Sequence, residues 1–532
     1  MSLAPRLSDD EPEVVRRGPS HQPFGLETRY DAAFVAALAL REKQIQQNYR
    51  PIIGIHKWFA RRPGSVFRSL MLSEYVDEPL SESYWQSNDV AATVADPFMG
   101  GGTSIFEALR LGCGVVGCDI NPMAYWLVRQ GVQPLDLDGF RTAAEHIVRQ
   151  TEDVVGRYYQ TACSGCGEDV PVKYFFWVKT CACPSCGDDV TQNLLGRYDT
   201  YALKCQDIFI VHGYPVGLIV CEDSLLGIPG VGSGSFVHFV EKFALAKTYA
   251  KRPYETRISA SKKSLVHMMS ERIEAPLIHR EPASGERTAW LVCEPSQTLD
   301  LAPKSLDGVF TDPPYFDNVQ YAELMDFCFV WLRKLIGGDV PEFVRATTRT
   351  EHELTGNDTL GRGLENFTAG LSDVFSKMAA SLKNGAPLVF TYHHNEPTAY
   401  APLVVAILDA GLTCTGVLPA PAEMTASLHI AGTRSSILDS VFVCRDRTWT
   451  SRRHGLDHLW KRPIDERISD DVTRMAEAGY RCTDGDRQCL RAGHIASDAV
   501  RKLGKKWLSA APLAGRITRV HECMAALTRG TA

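Results

Sequence analysis

A doubly wound, Rossmann-like α/β fold is predicted by three observations. Strand and helix signals alternate along most of the chain, two acidic motifs each follow a short apolar run, and a cysteine-bearing region interrupts the alternation between them. In such sheets a ligand sits beyond the carboxyl ends of the strands. The two motifs are therefore expected to face one crevice, although they lie far apart in the chain.

Residues 1–25 are polar and proline-containing, with no signal-peptide core, and read as a flexible arm. A helical segment from Tyr30 to Gln47 leads into the basic stretch His56-Lys57-Trp58-Phe59-Ala60-Arg61-Arg62-Pro63. The apolar run Ala91 to Ala95 predicts the first strand of the sheet. It ends in Asp96-Pro97-Phe98-Met99-Gly100-Gly101-Gly102-Thr103-Ser104, after which Ile105 to Leu111 read as a helix with Thr103 or Ser104 near its N-cap. Glycine lets the backbone approach a ligand closely, and the helix start offers free N–H groups. Val115 to Cys118 predict the next strand, ending in Asp119 with Asn121 just beyond. An acid about 20 positions past a glycine turn is placed to bind ribose hydroxyls. The glycine order is not G-x-G-x-x-G, and Asp96 would repel a pyrophosphate. A zwitterion carrying an ammonium group, such as S-adenosylmethionine, suits Asp96 better.

A helix is predicted from Leu137 to Tyr159, and an inserted region spans residues 136–287. Cys163-Ser164-Gly165-Cys166 and Cys183-Pro184-Ser185-Cys186, separated by 16 residues and followed by Gly167 and Gly187, match a four-thiolate structural zinc site. Cys181 could replace Cys183 as a ligand. Tyr174-Phe175-Phe176-Trp177 is expected to form the small core that a zinc ribbon needs, with stacking on unpaired bases as the alternative. Gly227 to Gly234 reads as a loop rather than a phosphate cradle, because no Lys-Ser or Lys-Thr follows it. The insertion is the candidate for target recognition.

The sheet is predicted to resume at Thr288 to Cys293 and to continue through Leu306 to Phe310, directly before Asp312-Pro313-Pro314-Tyr315. Each proline fixes φ and pushes its predecessor toward extended geometry, so two acceptors, the Asp312 carboxylate and the Pro313 carbonyl, are held in place in advance. They can take both hydrogens of a planar amino group while Tyr315 stacks on the ring that carries it. Further on, Leu388 to Tyr392 predict a strand, Ala399 to Ala410 a helix closed by Gly411, and Thr413 to Leu418 with Ser436 to Cys444 a terminal antiparallel pair. His393 and His394 read as structural.

Phe98-x-Gly100-x-Gly102 with Asp312-Pro313-Pro314-Tyr315 resembles the DNA amino-methyltransferases. More narrowly, Pro51 to Pro63, the paired CxxC motifs and Tyr315-Phe316-Asp317-Asn318-Val319-Gln320-Tyr321-Ala322-Glu323-Leu324 are similar to adenine-specific DNA methylases containing a zinc ribbon, over about Arg41 to Arg445. The resemblance implies a seven-stranded methyltransferase sheet on residues 26–135 and 288–446. It implies that Asp96, Pro97, Phe98, Gly100, Gly102, Thr103, Asp119, Asn121 and Lys57 bind S-adenosylmethionine, with Asp312, Pro313, Pro314 and Tyr315 catalytic. The expected target is adenine N6 of DNA, flipped out of the duplex or already single-stranded, with cytosine N4, an RNA base, or a non-enzymatic zinc-ribbon DNA-binding subunit as alternatives. A place in a modification or defence system, with partner subunits, is implied too. Glu294 is a weak match to an acid these enzymes carry near the cofactor adenine.

Composition points the same way. A chain of 532 residues, 45% hydrophobic, can bury a large core in two or three domains. No apolar run reaches membrane-spanning length, and 16 Cys gathered in knuckles and apolar strands fit a reducing compartment, so a cytoplasmic protein is expected. The net charge of −6 is unevenly spread, and residues 447–532 form a basic, helical extension. Counted from Asp446, 17 Lys or Arg there face 11 Asp or Glu. With Lys242, Lys247, Lys251, Arg252, Arg257, Lys262 and Lys263, this extension is a candidate surface for a phosphate backbone.

Overall fold

Seven short segments rich in valine, alanine and leucine pair into one sheet: β1 (Thr93–Asp96), β2 (Gly114–Cys118), β3 (Ala289–Val292), β4 (Gly308–Thr311), β5 (Leu388–Tyr392), β6 (Leu412–Pro421) and β7 (Leu438–Asp446). The computed structural model describes residues 14–17, 24–56, 58–172, 174–177, 180–182, 189–191, 220–223, 235–258, 264–316, 320–356, 361–394, 396–422, 436–451 and 462–530. The strand order is β3-β2-β1-β4-β5-β7-β6, and β7 alone runs antiparallel to the rest. Chain order reverses between β1 and β4, where Gly308 pairs with Val94 and Val309 with Ala95. A ligand is expected beyond the carboxyl ends of those two strands.

Strand side chains alternate faces, and each face has its own core. Val94, Val115, Phe310, Val389, Val441 and Val443 lie in one buried cluster, whereas Ala95, Val116, Val309, Leu388, Phe390 and Phe442 lie in another. The first cluster is completed by helices α1 (Ala32–Ile45), α2 (Gly64–Tyr75), α3 (Thr103–Arg110) and α4 (Pro122–Val132). The second is completed by α5 (Leu364–Ser381), α6 (Ala401–Asp409), α7 (Asp484–Gly504) and α8 (Leu513–Arg529). Covering both faces leaves β1, β2, β4 and β5 fully buried, which is why they read as continuous apolar runs, while β3 at the sheet edge is partly exposed.

Local chemistry sets the helix starts. Asp31 caps α1 by accepting from Phe34 N–H at 3.0 Å, and Thr483 with Asp486 forms a reciprocal capping box on α7. Helix α3 starts beside Thr103 and Ser104, as expected: its N-cap is Gly102, left-handed at φ 78°, and Thr103 and Ser104 open its first turn. The Ser104 hydroxyl donates to Asp96.

The domain boundaries differ from expectation in two places. Inside the arm expected at 1–25, Val14–Arg17 forms a strand parallel to Ser87–Val90, because that segment offers an unpaired edge. The chain divides into two compact units, one of residues 1–134 and 249–532 and the other of 135–248, so the insertion returns near 249 rather than 287. The reason is ionic. The hairpin Tyr254–Ile258 with Ser264–Met268 carries Glu255, which reaches Arg110 Nη1 at 2.8 Å and Arg50 Nη1 at 3.0 Å. Glu271 grips Arg68 at 2.7 Å and Arg110 at 3.0 Å, and Glu107 grips Arg50 at 3.0 Å. All six side chains are buried behind α2 and α3, tying residues 254–271 to the sheet unit. Glu42 stands beside them, with its oxygens 2.9 Å from Gly64 N–H and Ser65 N–H at the start of α2.

The second unit contains the helix Leu137–Val155, and the hairpin Gln160–Ala162 with Asp169–Pro171. Tyr174–Trp177 pairs with Val220–Asp223, and Thr180–Ala182 with Asp189–Thr191. In the C-terminal extension Arg462, Arg467 and Arg491 are each 2.5 Å from a carboxylate, of Asp470, Asp498 and Asp465 respectively, and Arg501 and Arg516 are ion-paired as well. Four of these pairs use acids of the extension itself and leave its basic surplus unchanged, while Arg516 reaches Asp409 outside it. Among the described residues no helix is long and apolar enough to cross a membrane.

Candidate active site

Three strand ends build the site. At the end of β1, Asp96 is buried and takes three donors: Phe98 N–H at 2.9 Å, Thr311 Oγ1 at 2.6 Å and the Ser104 hydroxyl. Thr311 belongs to β4 and Ser104 to α3, so one carboxyl latches the glycine turn to both neighbours. Burial pushes the Asp96 carboxyl up to about 7 against the pull of those hydrogen bonds, and the nearby Asp312 charge adds to the rise.

At the end of β2, Asp119 accepts from Gly100 N–H at 2.9 Å and Asn121 N–H at 2.8 Å. Burial raises its carboxyl to about 6. Asn121 caps α4 through its side-chain oxygen, 2.9 Å from Met123 N–H. Its amide nitrogen is buried with no hydrogen-bond partner among the described residues.

Beyond β4, the diproline carries Asp312 out over the same crevice. Thr391 Oγ1 on β5 donates to Asp312 Oδ1 at 2.6 Å, and the Tyr315 hydroxyl donates to the same oxygen at 3.3 Å. The Tyr315 ring is held edge-on by Tyr392, with centroids 4.6 Å apart, and by His393 at 5.1 Å.

These groups surround a cavity of about 980 Å³, lined among others by Asp96, Phe98, Gly100, Thr103, Ser104, Asp119, Asn121, Asp312 and Pro314. A smaller one of about 240 Å³ is lined by Ala60, Arg62, Asp312, Pro313, Pro314, Tyr315 and Tyr321. Ala60, Arg62, Asp312, Pro314 and Tyr321 border both. Motifs far apart in sequence thus meet at a shared wall.

The basic segment roofs the glycine turn. A Cβ on Gly100, which sits at φ 45°, would fall 2.8 Å from Trp58 Nε1, and one on Gly101 would fall 2.7 Å from Arg61 Cζ. At Gly100 both the left-handed backbone and the Trp58 ring favour glycine. Trp58 stacks on Tyr321, centroids 5.3 Å and planes 11° apart. Arg61 is 8% exposed and donates from Nη1 to Gly101 O at 2.8 Å, while its Nη2 is buried with no partner among the described residues. Burial lowers this guanidinium to about 10.

The remaining expected site residues are placed as follows. Pro97 and Gly102 do not line the cavity: the Pro97 carbonyl accepts from the Ser296 hydroxyl, and Gly102 caps α3. Glu294 is also absent from the lining, where its neighbours Pro295, Ser296 and Gln297 stand instead. Lys57, the second pair of expected zinc ligands, Cys183 and Cys186, and Asp317 to Val319 lie outside the described residues. Sequence reasoning missed Gln297 and the stretch His352 to Thr355, which complete the wall. They sit in irregular segments without periodicity or motif, so no local signal pointed to them. Trp58 and Arg61 carried a signal in the basic, aromatic stretch His56 to Pro63.

A tight turn follows Cys163. Gly167 is left-handed at φ 80° and donates its N–H to Cys163 O at 2.8 Å, and the Cys166 and Gly165 N–H groups hold the Cys163 thiol below its ordinary pKa. Among the described residues no cluster of three or more His, Cys, Asp or Glu could hold a metal ion.

The mostly parallel sheet and the crevice at its switch point define the class: a mixed α/β protein compatible with a Rossmann-like fold. Comparison with protein-family models finds no match, and no curated protein matches the chain.

Proposed function

We propose that the protein is an S-adenosylmethionine-dependent DNA methyltransferase acting on an exocyclic amino group, adenine N6. The observation that carries this reading is the pair of cavities that share Asp312 and Pro314, a large one at the glycine turn and a small one at the diproline. The large cavity combines acceptors with donors lacking partners, Asp119 with Asn121 Nδ2 and Arg61 Nη2, and that combination suits a zwitterion with ribose hydroxyls. Arg61 is the residue assigned to a ligand carboxylate, because an unpaired buried guanidinium calls for an anion.

S-adenosylmethionine, when bound, supplies an electrophilic methyl group. The protein's part is positioning and electrostatics. An aromatic amine is a weak nucleophile because its lone pair is delocalised into the ring. Asp312 and the Pro313 carbonyl accept its two hydrogens and hold the nitrogen at the wall between the cavities. Once methylated, that nitrogen sheds a proton, and Asp312 is the carboxylate beside it. No covalent enzyme intermediate is needed. A paired base cannot enter so small a pocket, so the target is flipped out or already single-stranded.

The reading includes a zinc site of Cys163, Cys166, Cys183 and Cys186, a cytoplasmic setting, and partners within a modification or defence system. Purified protein is expected to contain one zinc per chain by atomic emission, and Cys163→Ser to lower that content. Full-length protein without stoichiometric zinc would remove the ribbon from the proposal.

Transfer of labelled methyl groups to duplex DNA, compared with RNA, tests the substrate class. Methylation-sensitive sequencing of DNA from cells expressing the protein reports base and context. Modification of cytosine N4, or of RNA alone, would replace adenine N6 of DNA as the target.

Binding of the cofactor is expected to strengthen as pH rises from about 5 to 8, since a cationic ligand favours the ionised forms of Asp119 and Asp96. Calorimetry in buffers of different ionisation heat should show proton release on binding near pH 6 to 7, where both groups titrate. In the ligand-free protein the same raised values make these two groups cost stability as pH climbs from about 4 to 7, because the unfolded chain releases their protons first. Affinity independent of pH would detach these carboxyls from the ligand.

A further inference from the structure

We infer that Arg62 is a positioning residue for the Asp312–Tyr315 motif and that Asp439, on β7, is the anchor that aims it. The inference rests on the reading of Asp312 as the partner of a substrate amino group.

Arg62 is buried, and all three nitrogens of its guanidinium are used. Nε donates to Asp439 Oδ2 at 2.6 Å, Nη1 to Ala60 O at 2.7 Å, and Nη2 to the Tyr315 hydroxyl, with Asp312 Oδ1 3.5 Å away. The guanidinium is planar and its donors are fixed relative to one another, so a single orientation satisfies all of these partners. A lysine has no such fork.

Asp439 is fully buried and its second oxygen pairs with His393 Nδ1 at 2.9 Å. His393 in turn packs edge-on against the Tyr315 ring. A closed circuit results: Asp439 holds Arg62 and His393, and these hold the two ends of Tyr315. Tyr315 and Thr391 then fix the plane of the Asp312 carboxylate by converging on Oδ1.

The backbone is bent to make this possible. Ala60 sits at φ 54°, a left-handed conformation that costs a non-glycine residue energy, and its carbonyl is held by Arg62. Ala60 borders both cavities. The same segment therefore covers the glycine turn through Trp58 and Arg61 and steers the acceptor through Arg62.

The experiment compares Arg62→Met, Arg62→Lys, Asp439→Asn and the double variant Arg62→Met/Asp439→Leu in the full chain. For Arg62→Met and Asp439→Asn, kcat is expected to fall about 100-fold, the size of effect that misplacing a reacting group produces. KM values for DNA and cofactor should stay within about threefold, as befits a contact that matters in the transition state only. Arg62→Lys should recover little. The double variant, whose apolar pair can replace a buried ion pair without unfolding the chain, should be no worse than either single change. Independently of activity, the fluorine resonance of Tyr315 in 3-fluorotyrosine-labelled protein, assigned with Tyr315→Phe, is expected to shift in Asp439→Asn. An unmoved resonance overturns the inference, as does unchanged kcat in folded Arg62→Met. If the unaltered protein transfers no methyl group to any nucleic acid, the proposed function fails, and the fluorine shift still decides the clamp.

Discussion

Asp312→Ala is expected to lower the methyl-transfer rate by about 100- to 1,000-fold, the loss that removal of one preorganised group at a reacting centre brings. Cofactor affinity should change little, because the groups assigned to the cofactor's polar atoms, Asp119, Asn121 and Arg61, sit at the end of β2 and over the glycine turn. Asp312→Asn is the sharper variant. It keeps the shape and one acceptor, but its amide would present N–H either to the substrate amine or to Thr391, and Thr391 now donates at 2.6 Å. It should therefore be nearly as slow as the alanine variant. Single-turnover transfer of labelled methyl groups, with calorimetry for cofactor binding, measures both quantities. Activity within a few-fold of the unaltered protein in Asp312→Ala would end the proposed mechanism.

Glu255→Leu is expected to destabilise the fold by about 3–5 kcal/mol, as breaking a buried charge cluster from one side does. It would leave Arg50 and Arg110 facing an apolar side chain where each now has a carboxylate oxygen within 3.0 Å. Burial by itself would raise the Glu255 carboxyl, but Arg50, Arg110 and Arg68 overcome it and hold the group at about 2. The stabilisation it provides is thus complete above the ordinary carboxylate range and is lost as pH falls from about 4 to 2. Glu107 in the same cluster shifts upward, because its burial outweighs Arg110 and Arg50. Urea unfolding at neutral pH measures the loss. A shift below about 1 kcal/mol would mean that the hairpin is held by packing rather than by charge. Specific transfer activity of the folded fraction should not change, since none of these residues lines either cavity.

Much of the sheet was legible because its signals are local. Each strand expected from an apolar run exists within a few residues of its place, including the antiparallel pair at the end, where β6 runs longer than expected and β7 starts and stops two residues later. Burial on both faces makes such runs continuous, and a proline shortly after β1 and β4 marks where they stop. The expected convergence of the motifs followed from strand ends alone, and Asp96, Asp119 and Asp312 do line one cavity. Thr103 and Ser104 stand next to the N-cap of α3 as expected, but the cap itself is Gly102, and the Ser104 hydroxyl goes to Asp96.

The charged residues tell the opposite story. Arg50, Arg68, Arg110 and Arg62 look in sequence like any solvated cation, yet all four are buried. Their partners Glu255, Glu271 and Asp439 lie hundreds of positions away, and no spacing rule connects them.

The order of strand and helix, the turn chemistry at Gly100 and Gly102, and the acids that end β1, β2 and β4 were determined by the amino-acid sequence itself, because backbone sterics and hydrophobic period act between near neighbours. Which cation meets which carboxylate, which guanidinium lies over the glycine turn, and which loop closes the cavity were decided only by the tertiary structure. Those outcomes depend on distances and desolvation that do not exist until the chain has folded.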